Sequence, residues 1–315
     1  MTSDSASPPA LTAVVPTLGR SPLLDRSLAA LRAQSRLVEV VLVTSGGGRI
    51  AAATRALADR VVESPAPLGF AAATNRGLAL AGGELVATVN DDAVVAPDWA
   101  ALLAAALERD PGVAAAQGVN LLPSGTCDGW GLAWSRRLQA IQLGHGAEPP
   151  PASAPPREVF GVSATAAVYR RRALLEVALA SGIFDERLDT FYEDVDLAGR
   201  LRGAGWRAIA VPAARAAHAG SSTAAAWPLR RYRLLHRNRW LALARLLGSG
   251  FWLQFPRILM RDARDSAAAL ARGELGRAFA AAIGWLSALA RLPAFARRGP
   301  PLVPPAALAP PGDAP

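Results

Sequence analysis

Lysine is absent from the 315 residues, cysteine occurs once, histidine three times, and aromatic side chains make up only 6% of the chain. With Cys127 alone no intrachain disulfide can form, and neither a cysteine-rich zinc site nor an iron–sulfur site can be built, which fits a reducing cytoplasm. Residues 1–9 lack the basic start and apolar run of a secretory signal, so no export is indicated. The longest weakly apolar stretch, 278–290, is shorter than the roughly 20 residues a membrane-crossing helix needs and is rich in alanine. The expectation is a soluble or peripheral protein. The missing lysine, beside heavy alanine use, reads as a coding bias and carries no chemistry.

The chain is 51% apolar, enough for one sizeable α/β domain with an appendage or for two modest domains. All 34 basic residues are arginine, giving a net charge of +9. The charge is unevenly spread: residues 226–299 carry fourteen arginines against Asp262, Asp265 and Glu274, so the remainder is slightly acidic. A near-neutral body with a strongly basic extension suggests two jobs.

Short buried-type runs at 11–16, 38–43, 60–63 and 84–89 read as strands, and the apolar spacings of 23–33, 69–81 and 97–108 read as helices between and after them. Further strands are expected at 113–121 and 159–169, with a helix at 171–179 and a flexible, proline-bearing surface loop at 147–158. Strands alternating with helices imply a mainly parallel sheet covered on both faces, with its ligand site outside the carboxyl ends of the strands. The predicted organisation is a disordered segment 1–10, an α/β domain 11–225, a basic amphipathic helical extension 226–298 and a disordered proline-rich tail 299–315.

Two acidic clusters stand out. Asn90-Asp91-Asp92 closes the fourth strand and offers oxygen ligands suited to Mg²⁺ or Mn²⁺ beside a phosphate, with Asp92 the leading ligand. The same tripeptide is also ordinary turn chemistry. Glu193-Asp194-Val195-Asp196 opens a helix, where acids favour the helix dipole by about 0.3–1 kcal/mol each. Three acids within four positions, next to Phe191 and Tyr192, would also raise a carboxylate pKa into the range useful for a base. His218, in a run of small residues, could complete a metal shell or meet a phosphate; His145 and His236 receive no role.

In order and spacing, Val14–Thr17, Gly69–Gly77, Val89–Asp92, Phe160–Ser163 with Arg171-Arg172, Phe184–Glu186, Tyr192–Leu197, Pro212 and His218 resemble the family 2 inverting glycosyltransferases, in particular their rhamnosyltransferase-like branch. The likeness runs over roughly residues 11 to 240. It implies a GT-A fold, a dTDP- or UDP-sugar donor, a divalent metal (Mg²⁺ or Mn²⁺), and a saccharide or polyprenyl-linked acceptor in cell-envelope polysaccharide synthesis. By motif, Asp194 matches the catalytic base, and Asp92 matches the last acid of the metal motif, whose first position is Asn90. His218 matches a histidine near diphosphate and metal. Pro16, Thr17, Thr44, Asn75, Asn90 and Asp91 fall on the donor side, and Gly161, Tyr192 and Glu193 on the acceptor side. One departure stands at Val43-Thr44-Ser45, where the family usually has an aspartate that reads the pyrimidine ring.

The basic extension mixes aromatics with arginines, among them Arg230, Arg231, Arg237, Arg239, Trp240, Trp252, Arg257 and Trp285. That composition suits helices lying on anionic lipid at the inner face of the cell membrane; packing of the same helices on the catalytic domain is the alternative. A catalytically inactive nucleotide-sugar-binding scaffold is a further reading. No nucleic-acid partner is expected, because the charge lies outside the α/β body and no binding motif accompanies it.

Overall fold

The computed structural model describes residues 11–48, 50–220, 228–297 and 299–308. Strands β1 (Leu11–Thr17), β2 (Glu39–Ser45), β3 (Arg60–Ser64) and β4 (Leu85–Val89) pair in parallel in the order β3-β2-β1-β4. Helices α1 (Leu24–Arg32), α2 (Ala52–Arg55) and α3 (Phe70–Leu78) make the crossovers. Side chains of β1 alternate between faces: Leu11, Ala13 and Val15 join the layer holding Leu28, Leu31 and Trp99, while Val14 faces Ala71, Ala73 and Leu78. Burial on both sides explains why β1, β2 and β4 are continuous apolar runs, whereas the edge strand β3 carries exposed Arg60 and Glu63.

Beyond β4 come β5 (Ala93–Val95), α4 (Trp99–Arg109), β6 (Val113–Leu121) and the short strands β7 (Cys127–Gly129), β8 (Leu132–Trp134) and β9 (Ala140–Gln142). They are followed by β10 (Arg157–Val159), β11 (Ala166–Arg170), α5 (Arg171–Glu176), α6 (Glu193–Gly203) and β12 (Arg207–His218). The main path through the sheet is β10-β12-β6-β11-β4-β1-β2-β3, with β5 on β12 and β7 on β6. β11 runs antiparallel to both β4 and β6, and β12 runs parallel to β6. Two reversals restore direction, so β1, β2, β3, β4, β6 and β12 share one carboxyl rim. The strand expected at 159–169 is in fact two, β10 and β11, on opposite sides of β12 and β6. Phe160 to Thr165 leave the ladder because Gly161 bridges to Leu132 instead.

The basic helices α7 (Pro228–Leu247), α8 (Gly250–Ala271) and α9 (Leu275–Phe295) pack on α6 and β8 through Trp240, Leu243, Leu246, Phe251 and Leu292. Of the α7 arginines expected at lipid headgroups, Arg230, Arg231 and Arg233 are exposed while Arg237 and Arg239 turn inward, as does Arg245. Arg239 meets Asp262 at 2.6 Å, and the same carboxylate accepts from Trp240 Nε1 at 2.7 Å. Arg245 joins Asp185 at 2.6 Å and Asp196 at 2.5 Å, both carboxylates fully buried. Buried acids on the partners, invisible to a count of charges along the chain, draw these cations in.

Two other expectations need correction. The tail is not disordered from 299: Ser249 N donates to Gly299 O (3.1 Å), Leu302 N donates to Leu246 O (2.8 Å), and Val303 and Leu308 are buried. Residues 309–315, the segment 1–10 and the expected boundary at 225/226 lie outside the described residues. Helix α9 also extends well past 278–290; its 21 residues are long and apolar enough, by length and composition, to cross a membrane. One face of it, through Ala281, Gly284 and Ala288, is buried in the protein.

Candidate active site

At the exit of β4, Asn90 N donates to Thr165 O at 2.8 Å, and the Asn90 carbonyl accepts from Ala93 N at 3.1 Å, turning the chain into β5. The turn presents Asp91 and Asp92 on the rim. Thr17, at the end of β1, donates to Asp91 Oδ2 at 2.5 Å, and Ser21 Oγ donates to the Asp91 carbonyl at 3.0 Å. Burial pushes the Asp91 carboxyl up to about 6 against the Thr17 hydrogen bond, with the neighbouring Asp92 charge adding to the rise.

His218 ends β12 opposite Ala93 of β5, and Ala219 N donates to the Asp92 carbonyl at 3.1 Å. These pairings hold the imidazole against the β4 turn. Its Nδ1 lies 2.8 Å from Asp128 Oδ2 on β7, and its Nε2 lies 3.2 Å from Asp92 Oδ1. The Nε2 contact is an ion-pair approach that faces the Asp92 carboxylate without aligned hydrogen-bond geometry. Burial opposes the imidazolium, but Asp128 and Asp92 outweigh it and raise His218 to about 9. A divalent cation fits here: Asp128 fixes the Nδ1 hydrogen, and Nε2 with the Asp92 carboxylate supplies a nitrogen and an oxygen. Among the described residues no three His, Cys, Asp or Glu side chains form a ready-made cage. Water and substrate oxygens would complete the shell, as is usual for Mg²⁺ at phosphates.

The second acidic cluster follows a strained approach. Asp189, Phe191 and Tyr192 all have positive φ, at 69°, 70° and 68°, a cost of about 1–3 kcal/mol for each such residue. The surroundings over-determine that conformation. Asn238 of α7 donates to the carbonyls of Leu188 and Phe191 at 2.7 Å each, Ala71 N donates to Asp189 O at 3.0 Å, and Ala140 N donates to Tyr192 Oη at 3.2 Å. The turn delivers Glu193 and Asp194 to the first turn of α6. Asp194, partly exposed, accepts from Val195 N at 2.8 Å and Ala164 N at 3.4 Å; burial raises its pKa against these bonds. Glu193 is buried with Oε2 unpartnered, and burial together with Asp194 drives its pKa well above the usual range. Asp196 plays no part on this surface, being paired with Arg200 at 2.9 Å and with Arg245.

The two clusters meet through adjacent residues: Thr165 O receives Asn90 N, and Ala164 N reaches Asp194. Thr44 is buried at the end of β2 in register with Thr17, and Pro16 is in register with Val43. Asn75 does not join them. Its Nδ2 donates to Phe184 O at 2.9 Å and its Oδ1 accepts from Phe184 N at 2.9 Å, which ties α3 to the segment before α6. Gly161 allows close packing, since a Cβ there would lie 2.2 Å from Ala198 Cβ. Tyr192 is buried with its hydroxyl in the β9 contact. Asp128, which the sequence reading passed over, lies in a three-residue strand with no motif around it; only its spatial approach to His218 reveals it.

The mixed α/β sheet carries carboxylates and an imidazole on its carboxyl rim, and comparison with known proteins gives the class to which this arrangement belongs. The model of glycosyl transferase family 2 matches residues 12–177, and the chain belongs to that family. It is accordingly a glycosyltransferase. It is similar to the N-acetylglucosaminyl-diphospho-decaprenol L-rhamnosyltransferase of Mycobacterium tuberculosis (strain H37Rv), 31% identical over 273 residues, covering 77% of this chain and 86% of the relative. Among solved structures, it resembles GalNAc-T7 with UDP, GalNAc and Mn²⁺ (TM-score 0.57, 15% identity), covering 78% of this chain and 49% of that one. It also resembles mannosyltransferase PcManGT from Pyrobaculum calidifontis in complex with GDP-Man and Mn²⁺ (TM-score 0.52, 20% identity), covering 90% and 88%. Both likenesses establish the GT-A fold of the chain.

Proposed function

We propose that the protein transfers a sugar, with rhamnose the first candidate, from a dTDP- or UDP-type donor to a saccharide or polyprenyl-linked acceptor of cell-envelope polysaccharide, with inversion at the anomeric carbon. The observation that carries this reading is the junction at Ala164 and Thr165, which sets a carboxylate base and a phosphate-side rim against the same two residues. Asp194 accepts the proton of the acceptor hydroxyl. The acceptor oxygen bonds to the anomeric carbon as the bond to the donor diphosphate breaks on the opposite face. Burial and the neighbouring Asp194 lift Glu193 well above its ordinary value, so Asp194 is the more readily ionised member of the pair.

Asp92 and His218 would hold a divalent metal, Mg²⁺ or Mn²⁺, with Asp128 fixing the imidazole; such an ion neutralises charge on a departing nucleoside diphosphate. Asn90, Asp91, Thr17, Pro16 and Thr44 line the rim where the nucleotide would lie. Thr44 offers the base a neutral hydroxyl in place of a carboxylate, a weaker contact. The rhamnosyltransferase relative carries a diphospho-decaprenol acceptor in its name, which supports a lipid-linked acceptor here and a place at the inner face of the cell membrane.

A thermal-shift panel of nucleoside diphosphates and nucleotide sugars, with and without Mn²⁺, on wild type and Asp92→Ala tests this. A metal-dependent shift for one pyrimidine diphosphate sugar, lost in the variant, is expected. Absence of any nucleotide shift would turn the reading to an inactive scaffold.

A further inference from the structure

Away from the carboxyl rim lies a cavity of about 340 Å³ between α8 and the turn joining β8 to β9. Four arginines line it: Arg136 and Arg137 from the turn, Arg257 and Arg261 from α8. Between them are aliphatic walls from Leu138, Ile258 and Leu308. The turn is built to hold this shape. Ser135 Oγ accepts from Arg137 N and Gln139 N, Leu138 sits at φ 52°, and Arg261 Nη1 donates to Arg136 O at 2.9 Å.

Four guanidiniums converge on this one hollow. Arg239 and Arg245 on the neighbouring α7 are neutralised by buried carboxylates. In contrast, Arg136, Arg257 and Arg261 have no carboxylate in ion-pair range among the described residues, and Arg137 has only Asp265 at 3.6 Å. Four guanidiniums around one hollow repel one another unless an anion sits among them, and their planar forks match phosphate oxygens two at a time. On α8, Arg257 lies one turn from Leu253, 80% exposed, and Met260, 55% exposed. The cavity therefore borders an exposed apolar stripe of the same helix.

We infer that this cavity binds the diphosphate of a polyprenyl-diphosphate-linked acceptor, its hydrocarbon leaving along the apolar stripe of α8. The mixed lining of guanidinium and aliphatic groups matches a diphosphate joined to an isoprenoid better than a free inorganic anion. The same turn leads to the active site: Ala140, two residues past Leu138, donates to Tyr192, whose next two neighbours are Glu193 and Asp194. The inference rests on the lipid-linked acceptor reading above.

Flotation of the full chain with neutral phosphatidylcholine vesicles tests it in three arms: plain vesicles, vesicles doped with a polyprenyl diphosphate, and vesicles doped to equal charge with phosphatidylglycerol. Wild type is expected to favour the polyprenyl diphosphate arm over phosphatidylglycerol by about tenfold, and Arg257→Gln/Arg261→Gln to lose that preference. Arg136→Gln/Arg137→Gln, on the opposite wall, should lose it as well, and inorganic pyrophosphate should compete. Equal binding of wild type to the two charged arms, or a preference retained in both double variants, would overturn the assignment. The nucleotide-sugar thermal shift, read on the same samples, reports donor binding and folding. Its presence in the variants separates failure of this site from failure of the glycosyltransferase reading.

Discussion

An imidazole held between two carboxylates has its ring orientation fixed, and in this chain Asp128 does the orienting from 2.8 Å, which would ready His218 as a ligand of the proposed metal. Asp128→Asn keeps the shape but no longer fixes the Nδ1 hydrogen by a charged acceptor. Its Mn²⁺ affinity, read from metal titration of the donor-dependent thermal shift, should fall by about 10–100-fold; unchanged affinity would remove Asp128 from that role. The acid pair opening α6 behaves differently. A base works in its deprotonated form, so a carboxyl raised by burial moves the acid limb of the rate profile upward. The limb for wild type is expected above the ordinary carboxylate range, with Glu193→Gln still active because its neutral amide stands in for the protonated form that burial favours at Glu193; a pH profile flat down to the ordinary range contradicts this. Contiguous clusters such as Asn90–Asp92 and Glu193–Asp194 were legible because their chemistry sits in adjacent positions. Asp128 was not, because nothing local marks a residue whose partner is 90 positions away. Asn75 shows the complementary limit: its bonds to the backbone at 184 give it a structural tie between α3 and the segment before α6 that no motif reveals.

Elements were legible where both faces of a strand are buried or one stripe of a helix is apolar, as in β1, β2 and β4 and in α1, α3 and α4; the four-residue α2 was not, being too short for a period to register. The short strands β5 and β7 to β10 carry too few residues for a period to register, and β12 hides a shift in register between Ala210 and Arg215. Helix α7 was legible as a helix and misleading in its polarity, since its arginines answer acids on α6, α8 and the segment before α6. Arg245 bridges Asp185 and Asp196, and Arg245→Met would take one of two arginine partners from each of these buried carboxylates, Arg187 and Arg200 remaining, at a cost of about 1.5–3 kcal/mol for each lost charged hydrogen bond, measurable by denaturant unfolding. The pH dependence follows from the same cluster. Burial alone would raise Asp185, but hydrogen bonds from Arg187 and Arg245 hold it at about 2 against an ordinary 3.8. A depressed folded-state pKa contributes stability that is complete above the unfolded value and is lost as pH falls from about 4 through 2, on the order of 2 kcal/mol for this group. Unfolding free energies that stay level over that window in wild type would count against the ion-pair cluster.

At the scale of the whole molecule, a catalytic sheet and a helical cap divide the work: α7 braces the strained turn into α6, while α8 and α9 turn apolar side chains to solvent. Trp252 and Leu253 on α8 are 53% and 80% exposed, and Leu275, Phe279 and Leu286 on α9 between 67% and 69%. With arginines along their edges, these faces suit an anionic bilayer surface. Trp252→Glu with Phe279→Glu should abolish flotation with anionic liposomes and leave the donor-induced thermal shift intact; retained flotation would place the contact elsewhere. The division of the chain into body and basic extension was legible from charge, whereas the docking of the extension was not, because it depends on buried pairs between distant segments. The central claim, a GT-A transferase whose base is Asp194, is tested most directly by sugar transfer measured for wild type and Asp194→Asn at equal donor saturation. A fall of about 10²–10⁴-fold with donor binding retained is expected, and turnover near the wild-type rate would contradict it.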